Sequence, residues 1–223
     1  MTRAFVLALF TVITTVAFAA STPLGTGQDK PKVELPAPDA DGWISLFNGK
    51  DLTGWEGNMD IWRVVDGYIQ GKIDKIGYNT FLVYGVPFSD FVLEAKFILP
   101  KGGNSGIQYR SKVKDQAKFI VGGYQADIGG GYWGILYEEQ GRGILVKPVK
   151  DVEKTIKFDD WNTFVVTANG SKVKHEVNGV VSVDFDDTDE KKRAAEGVIA
   201  LQYHAPGNFE IRFKDIRIKP IKK

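Results

Sequence analysis

Through most of this chain apolar residues recur at every second position. That period marks strands whose alternate side chains face a core and its opposite side. It predicts strands over 43–47, 62–65, 68–72, 81–83, 91–99, 106–111, 123–128, 144–149, 162–168, 172–177, 180–185, 197–204 and 209–219. Asp66-Gly67, Asn169-Gly170 and Asn178-Gly179 separate such runs. Each pair accepts positive φ and so suits a two-residue type I′ hairpin. The stretch WNTFVVTANGSKVKHEVNGVVSVDF thus reads as a three-stranded meander. Residues 189–196, charged with paired alanines, are the one helical candidate, two turns at most. Many short strands with Gly-rich turns predict an all-β fold, a sandwich or barrel. No repeat of fixed period appears, which disfavours a propeller.

The two ends of the alternation differ. In GVIALQYH, Ile199, Leu201 and Tyr203 share one face, and Gln202 and His204 the other. In GYQADI, Gln125 and Asp127 oppose Tyr124, Ala126 and Ile128; in GGNSGIQYR, Gln108 and Arg110 oppose Ile107 and Tyr109. Antiparallel sheets commonly have one solvated side, and that is the plain alternative. Yet ordinary exposed strands favour Thr, Lys and Glu. Gln, Asn, Asp, His and Arg beside Tyr and Trp are the inventory of a sugar site, where amides and carboxylates meet hydroxyls and rings stack on C–H faces. The loop GGGYWGILYEEQGRG adds Tyr132, Trp133, Tyr137, Glu138, Glu139 and Arg142; its three glycines are either a long turn or a lid hinge.

The N-terminus breaks the pattern. Residues 1–20, MTRAFVLALFTVITTVAFAA, combine an early Arg3, an apolar run and a small-x-small end, the signature of a secretory signal peptide. Export to the periplasm or medium is the expectation, with no membrane anchor after cleavage. Residues 21–41, rich in Pro, Gly and charge, read as a flexible leader, leaving 42–223 as one β-sandwich domain. With 29 basic against 28 acidic residues, net charge is +1, which gives no basic surplus for nucleic acid. The absence of cysteine excludes thiol nucleophiles and thiolate metal sites, and the two histidines exclude a three-histidine zinc site.

Several standard chemistries fail. There is no G-x-S-x-G elbow, and no Gly-rich segment leads into a helix. The E-x-D-x-x-E signature of laminarinase-like sandwiches is absent, and Glu138 and Glu139 are adjacent, so in a strand they point apart.

A set of motifs spanning the mature domain resembles one family closely. They are WISLFNGKDLTGW (43–55), WRVVDGYI (62–69), DFVLEAKF (90–97), GGNSGIQYR (102–110), GYQADI (123–128), WNTFVVTANG (161–170), HEVNGV (175–180), GVIALQYH (197–204) and FKDIRIK (213–219). The chain is similar to the 3-keto-disaccharide hydrolase family. The resemblance implies a concanavalin-like jelly-roll sandwich with a polar concave face, acting on glycosides oxidised at C3. Many members carry Glu and then Gln where this chain has Gln125 and Asp127.

A C3 ketone acidifies the C2 proton, so the implied reaction needs a base, a donor at the enolate oxygen and an acid for the leaving group. His204 is the expected base, because imidazole titrates in the right range. Arg110 is the expected clamp, and Asp127 and Glu138 the expected acids. Asp127, Glu138 and His204 together are the candidate ligands of a divalent metal. Asn104, Gln108, Gln125, Arg142 and Gln202 are expected to bind substrate, with Tyr132 or Trp133 stacking on the ring. The alternative to an enzyme is a non-catalytic carbohydrate-binding sandwich.

Overall fold

The computed structural model describes Met1 and residues 33–148 and 151–222. The expected signal peptide and the leader up to residue 32 lie outside the described residues, apart from Met1. The compact unit considered below is Lys32–Lys223. Its strands are β1 Ile44–Ser45, β2 Trp55–Glu56, β3 Trp62–Val65, β4 Tyr68–Ile73, β5 Thr80–Phe88, β6 Phe91–Ile98, β7 Asn104–Asp115, β8 Ile120–Gly129, β9 Leu136–Glu139, β10 Gly143–Val146, β11 Asn162–Asn169, β12 Lys172–Val177, β13 Val180–Asp186, β14 Gly197–Tyr203 and β15 Phe209–Pro220.

They form two antiparallel sheets, the jelly-roll sandwich that the alternation and the motifs predict. One sheet has eight strands, ordered β13-β12-β11-β6-β15-β4-β3, with β1 paired to β15. The other has seven, ordered β10-β9-β8-β7-β14-β5-β2. Phe91, Leu93, Ala95 and Phe97 of β6 and Phe164 and Val166 of β11 supply the core from the first sheet. Ile107, Tyr109, Tyr124, Ala126, Ile199, Leu201 and Tyr203 supply it from the second. Phe91 meets the Tyr109 ring edge-on with centroids 6.3 Å apart. His175 of β12 is fully buried and meets the Tyr109 hydroxyl through Nε2 at 2.8 Å. Burial pulls its pKa down to about 4, so it packs as a neutral ring.

Two local expectations change. Residues 189–196 form no helix; Lys192 and Arg193 N–H groups close a single turn on the Asp189 carbonyl. The turn between β11 and β12 slides by one residue. Asn169 pairs with Lys172, and the positive φ of +58° falls on Gly170 alone. Asp66-Gly67 and Asn178-Gly179 both take the two positive φ values that a type I′ turn needs. Among residues 33–41, Val33 packs against the core.

One deformation shapes the outer face of the seven-stranded sheet. The register of β7 against β8 shifts between Tyr109 and Lys112, and Arg110 takes φ +48°. Beyond this bulge the β7–β8 hairpin folds back over the sheet. Its tip binds β5, where the Phe81 N–H donates to Phe119 O at 3.0 Å and Thr80 Oγ1 to Lys118 O at 2.8 Å. Phe81, Val83, Val121 and Ala200 form a small apolar cluster beneath it, with Val113, Phe119 and Val198 packed alongside. One part of the outer face is therefore filled with apolar side chains, and an adjacent part stays polar.

Candidate functional site

The polar part is a cavity of about 240 Å³ lined by Asn79, Asn104, Gln125, Asp127, Tyr132, Ile135, Tyr137, Glu139, Ile144, Gln202 and His204. Strand parity builds it. Ile107, Ala126, Leu136 and Leu201 point into the core, so Gln125, Asp127, Tyr137, Glu139 and Gln202 point out. The pairings Gln125↔Tyr137 and Gly123↔Glu139 set β9 so that Tyr137 and Glu139 share the cavity side. Gly106 has a steric reason to be glycine. A Cβ there would lie 2.6 Å from Gln125 Cδ, so the glycine lets the amide of Gln125 lie flat across β7.

A chain of hydrogen bonds orients the floor. Ser111 Oγ donates to Gln108 Oε1, Gln108 Nε2 donates to Gln125 Oε1 at 2.8 Å, and Gln125 Nε2 donates to Asp127 Oδ1 at 2.6 Å. Asp127 Oδ1 is thus an acceptor, which leaves Oδ2 to carry the acid proton. Burial pushes the Asp127 carboxyl up to about 7, with the Glu139 charge adding to the rise and the Gln125 bond opposing it. Burial also raises Glu139, against a hydrogen bond from Asn79 and the charge of His204. His204 Nδ1 bonds the Ala205 carbonyl, so the proton sits on Nδ1 and the Nε2 lone pair is left for other partners.

Other buried polar atoms in the cavity have no protein partner. Gln202 is 1% exposed, yet neither Nε2 nor Oε1 is hydrogen-bonded, and the same holds for Asn104 Oδ1. Burying an unpaired amide costs roughly 1–3 kcal/mol, so such atoms mark a place where a ligand or water completes the structure.

Of the expected residues, the cavity brings together Asn104, Gln125, Asp127, Tyr132, Gln202 and His204. Five others lie elsewhere. The bulge turns Arg110 away from the cavity, and its guanidinium donates to Ser89 O at 2.6 Å, Gly170 O at 2.7 Å, Ala194 O at 3.3 Å and Asp90 Oδ1 at 2.8 Å. It is a tie between the sheets and not a clamp on substrate. Gln108 is fully buried and supports Gln125 from behind. Glu138 faces the opposite side of β9 from Glu139 and accepts the backbone N–H of Arg142 at 2.9 Å as well as its guanidinium. Arg142 is committed there too, to Glu138 and to Asp187 at 2.6 Å. Burial works to raise the Asp187 carboxyl, but Arg142 and Tyr124 outweigh it and hold it below its usual value. Trp133 is 6% exposed and stacks on Phe97, while Tyr132 next to it is 45% exposed on the cavity rim.

These placements also dissolve the expected metal set, since Glu138 lies apart from Asp127 and His204. Among the described residues no group of three or more His, Cys, Asp or Glu side chains is placed to hold a metal ion. The sequence reasoning missed Asn79, Ile135 and Ile144, and it named Tyr137 and Glu139 in the loop without giving either a role. For Glu139 a signal existed: it shares parity with Tyr137, and β9 starts with the core residue Leu136. Asn79 precedes β5 in a loop, where no periodicity speaks. The glycine loop 129–131 is a hydrogen-bonded turn, with the Tyr132 N–H on Gly129 O at 2.9 Å and the Gly134 N–H on Asp127 O at 3.0 Å.

Known proteins share this architecture. A "putative glycosyl hydrolase" from Parabacteroides distasonis ATCC 8503 is 22% identical and superposes with a TM-score of 0.63 over 82% of this chain and 95% of its own. Carbohydrate-binding module CBM66 from Bacillus subtilis is 17% identical, with a TM-score of 0.58 over 74% of this chain and 95% of its own. At these identities both speak for the fold. The 3-keto-disaccharide hydrolase of Bacteroides thetaiotaomicron is 37% identical over 87 residues, which are 34% of this chain and 30% of that protein. The match thus spans less than a third of that relative's length. Residues 42–219, nearly the whole sandwich, match one family along their length. The chain belongs to the 3-keto-alpha-glucoside-1,2-lyase-like domain family.

Proposed function

We propose that this is an exported carbohydrate-active enzyme that cleaves 3-keto-glycosides by elimination, with water able to complete a net hydrolysis. The observation that carries it is the convergence of Asp127, Glu139 and His204 on one cavity whose buried amides have unfilled hydrogen-bonding positions. Family membership and the local likeness to a 3-keto-disaccharide hydrolase support the substrate class. Export rests on residues 1–20 as a signal peptide.

In this mechanism His204 Nε2 removes the C2 proton. The C–H electron pair forms C2=C3, and the ketone oxygen becomes an enolate. Collapse of the enolate forms C1=C2 and breaks the C1–O bond, and the neutral Asp127 carboxyl gives its proton to the departing oxygen. The products are an alcohol and an enone. Hydrolysis follows when water adds its hydroxyl to C1, its proton returns to Asp127, and His204 returns its own to C2. A carboxyl titrating at about 7 suits the acid, because it is protonated at neutral pH and still gives the proton up.

The test is incubation of the purified protein with a 3-keto-glucoside, with and without added divalent metal, following loss of substrate and growth of the enone absorbance. Turnover is expected. Sugar binding without turnover under either condition would instead establish a carbohydrate-binding module. For export, the secreted protein is expected to begin at or near Ser21 on N-terminal sequencing.

A further inference from the structure

Across the outer face from β7 to β10 the side chains change character. Gln108 pairs with Gln125, Gln125 with Tyr137, and Tyr137 with Ile144, so these four form one row on one face of neighbouring strands. The row passes from two amides to an aromatic ring and then to an aliphatic side chain on the edge strand. Ile135, just before β9, and Tyr132, in the loop that leads to it, line the cavity as well. Gln125 and Gln202 are buried, whereas Tyr132 is 45% and Ile144 44% exposed. Those two are among the few large apolar side chains that the described residues leave in solvent. The cavity thus has a closed polar end and an open apolar one.

Its size decides what reaches the open end. At about 240 Å³ it falls below the roughly 300–1,000 Å³ of pockets that enclose a drug-sized ligand, so it takes one sugar ring and not two. Direction follows from strand order. The base His204 follows β14 and the acid Asp127 lies on β8, with β9 and β10 beyond it. A ring with C2 at His204 and its leaving oxygen at Asp127 therefore aims its C1 substituent over β9 and β10.

We propose that Tyr132, Ile135 and Ile144 form the subsite for the leaving group, and that it favours a leaving group with an apolar, above all aromatic, face over a second sugar. An aromatic ring laid on these side chains removes apolar surface from water on both partners. The hydroxyls of a second sugar set against Ile135 and Ile144 lose water and meet no hydrogen-bonding group in exchange. The proposal rests on the 3-keto-glycoside function and names the class of glycoside the cleft takes.

The test uses 3-keto C-glucosides, whose C1–C bond offers no leaving oxygen, so that binding is read apart from chemistry. Three are compared in both anomeric forms, with methyl, benzyl, or a second glucose joined through a methylene at C1. Calorimetric titration is expected to give roughly 10-fold tighter binding of the benzyl compound than of either other. Tyr132→Ala and Ile144→Thr are each expected to shrink that advantage by about 2- to 4-fold. Both residues are exposed, so the unfolding midpoint is expected to stay in place. Gln202→Met weakens all three ligands alike and keeps the ratio. Equal affinity for the three compounds, absence of binding included, overturns the proposal. So does a disaccharide analogue that matches the benzyl compound, or an advantage that survives both rim substitutions. Turnover of a 3-keto-glucoside is scored separately. Turnover without the benzyl advantage sinks the proposal alone, and the advantage without turnover sinks the enzyme alone.

Discussion

Arg110 and Gln202 are almost equally buried, at 2% and 1% exposure, and they stand on neighbouring strands of one sheet. Their hydrogen bonding is opposite. Arg110 makes four bonds, to Ser89 and Asp90 between β5 and β6, to Gly170 in the β11–β12 turn and to Ala194 between β13 and β14, and Gln202 makes none through its side chain. Burial alone therefore does not separate these two kinds of polar group; being unsatisfied and lining a cavity does. A saturated cluster uses its energy within the fold. An unsaturated one keeps its hydrogen-bonding capacity for something that arrives.

Four experiments break or sharpen this contrast. The largest effect is expected from Asp127→Asn on the cavity side: turnover of a 3-keto-glucoside falls by about 10²–10⁴-fold, the range typical for losing a general acid or base. Stability is not lost with it. A fall in activity that merely follows unfolding would remove Asp127 from the mechanism.

The same variant carries a pH signature. Folded Asp127 titrates at about 7 against an ordinary 3.8, so the unfolded chain releases this proton first as pH rises. The group's contribution is fully present below pH 3.8 and is lost as pH climbs towards 7, by on the order of 4 kcal/mol. His175 runs the other way, with a folded value of about 4 against 6.5. Its contribution is present above pH 6.5 and is lost as pH falls towards 4. Urea unfolding across pH 4–8 is expected to show the stability difference, Asp127→Asn minus native, growing with pH up to about 7 and then levelling. A difference independent of pH would mean that Asp127 titrates normally.

Arg110→Ala is the counterpart on the saturated side. Removing it leaves the Asp90 carboxylate without its guanidinium partner in a buried site, and a cost of about 3–5 kcal/mol is expected in denaturant unfolding. Where the variant is still folded, turnover is retained. Loss of turnover with unchanged stability would return Arg110 to the substrate. The smallest effect belongs to Tyr132→Ala. This exposed rim ring is expected to raise KM by roughly 2- to 10-fold, the worth of one aromatic contact, without changing the unfolding midpoint.

Much of this was legible in the chain. The period of two found nearly every long strand, and two of the three hairpin turns sit on the residues expected. The composition of the polar face pointed to Gln125, Asp127, Gln202 and His204, the family resemblance added Asn104, and all five line one cavity. The misplacements share a cause. Alternation assigns a face only as long as the strand keeps its parity, and parity fails at a bulge. GGNSGIQYR alternates cleanly as letters up to Tyr109; φ +48° at Arg110 ends the alternation and swings the guanidinium to Asp90. In YEEQ the choice between Glu138 and Glu139 turned on which of them shares a face with the core residue Leu136, a matter settled by the pairing of β9 with β8.

The sequence by itself determined the all-β class and the polarity of the outer face, because side-chain parity and turn chemistry are local and survive without knowledge of partners, and its motifs carried the family. Tertiary structure alone decided which polar groups are used up. Hydrogen-bond saturation depends on groups far apart in the chain, such as Arg110 with Gly170, Arg142 with Asp187 and Glu139 with Asn79. Only after those pairs have formed is it visible that Gln202 and Asn104 remain open.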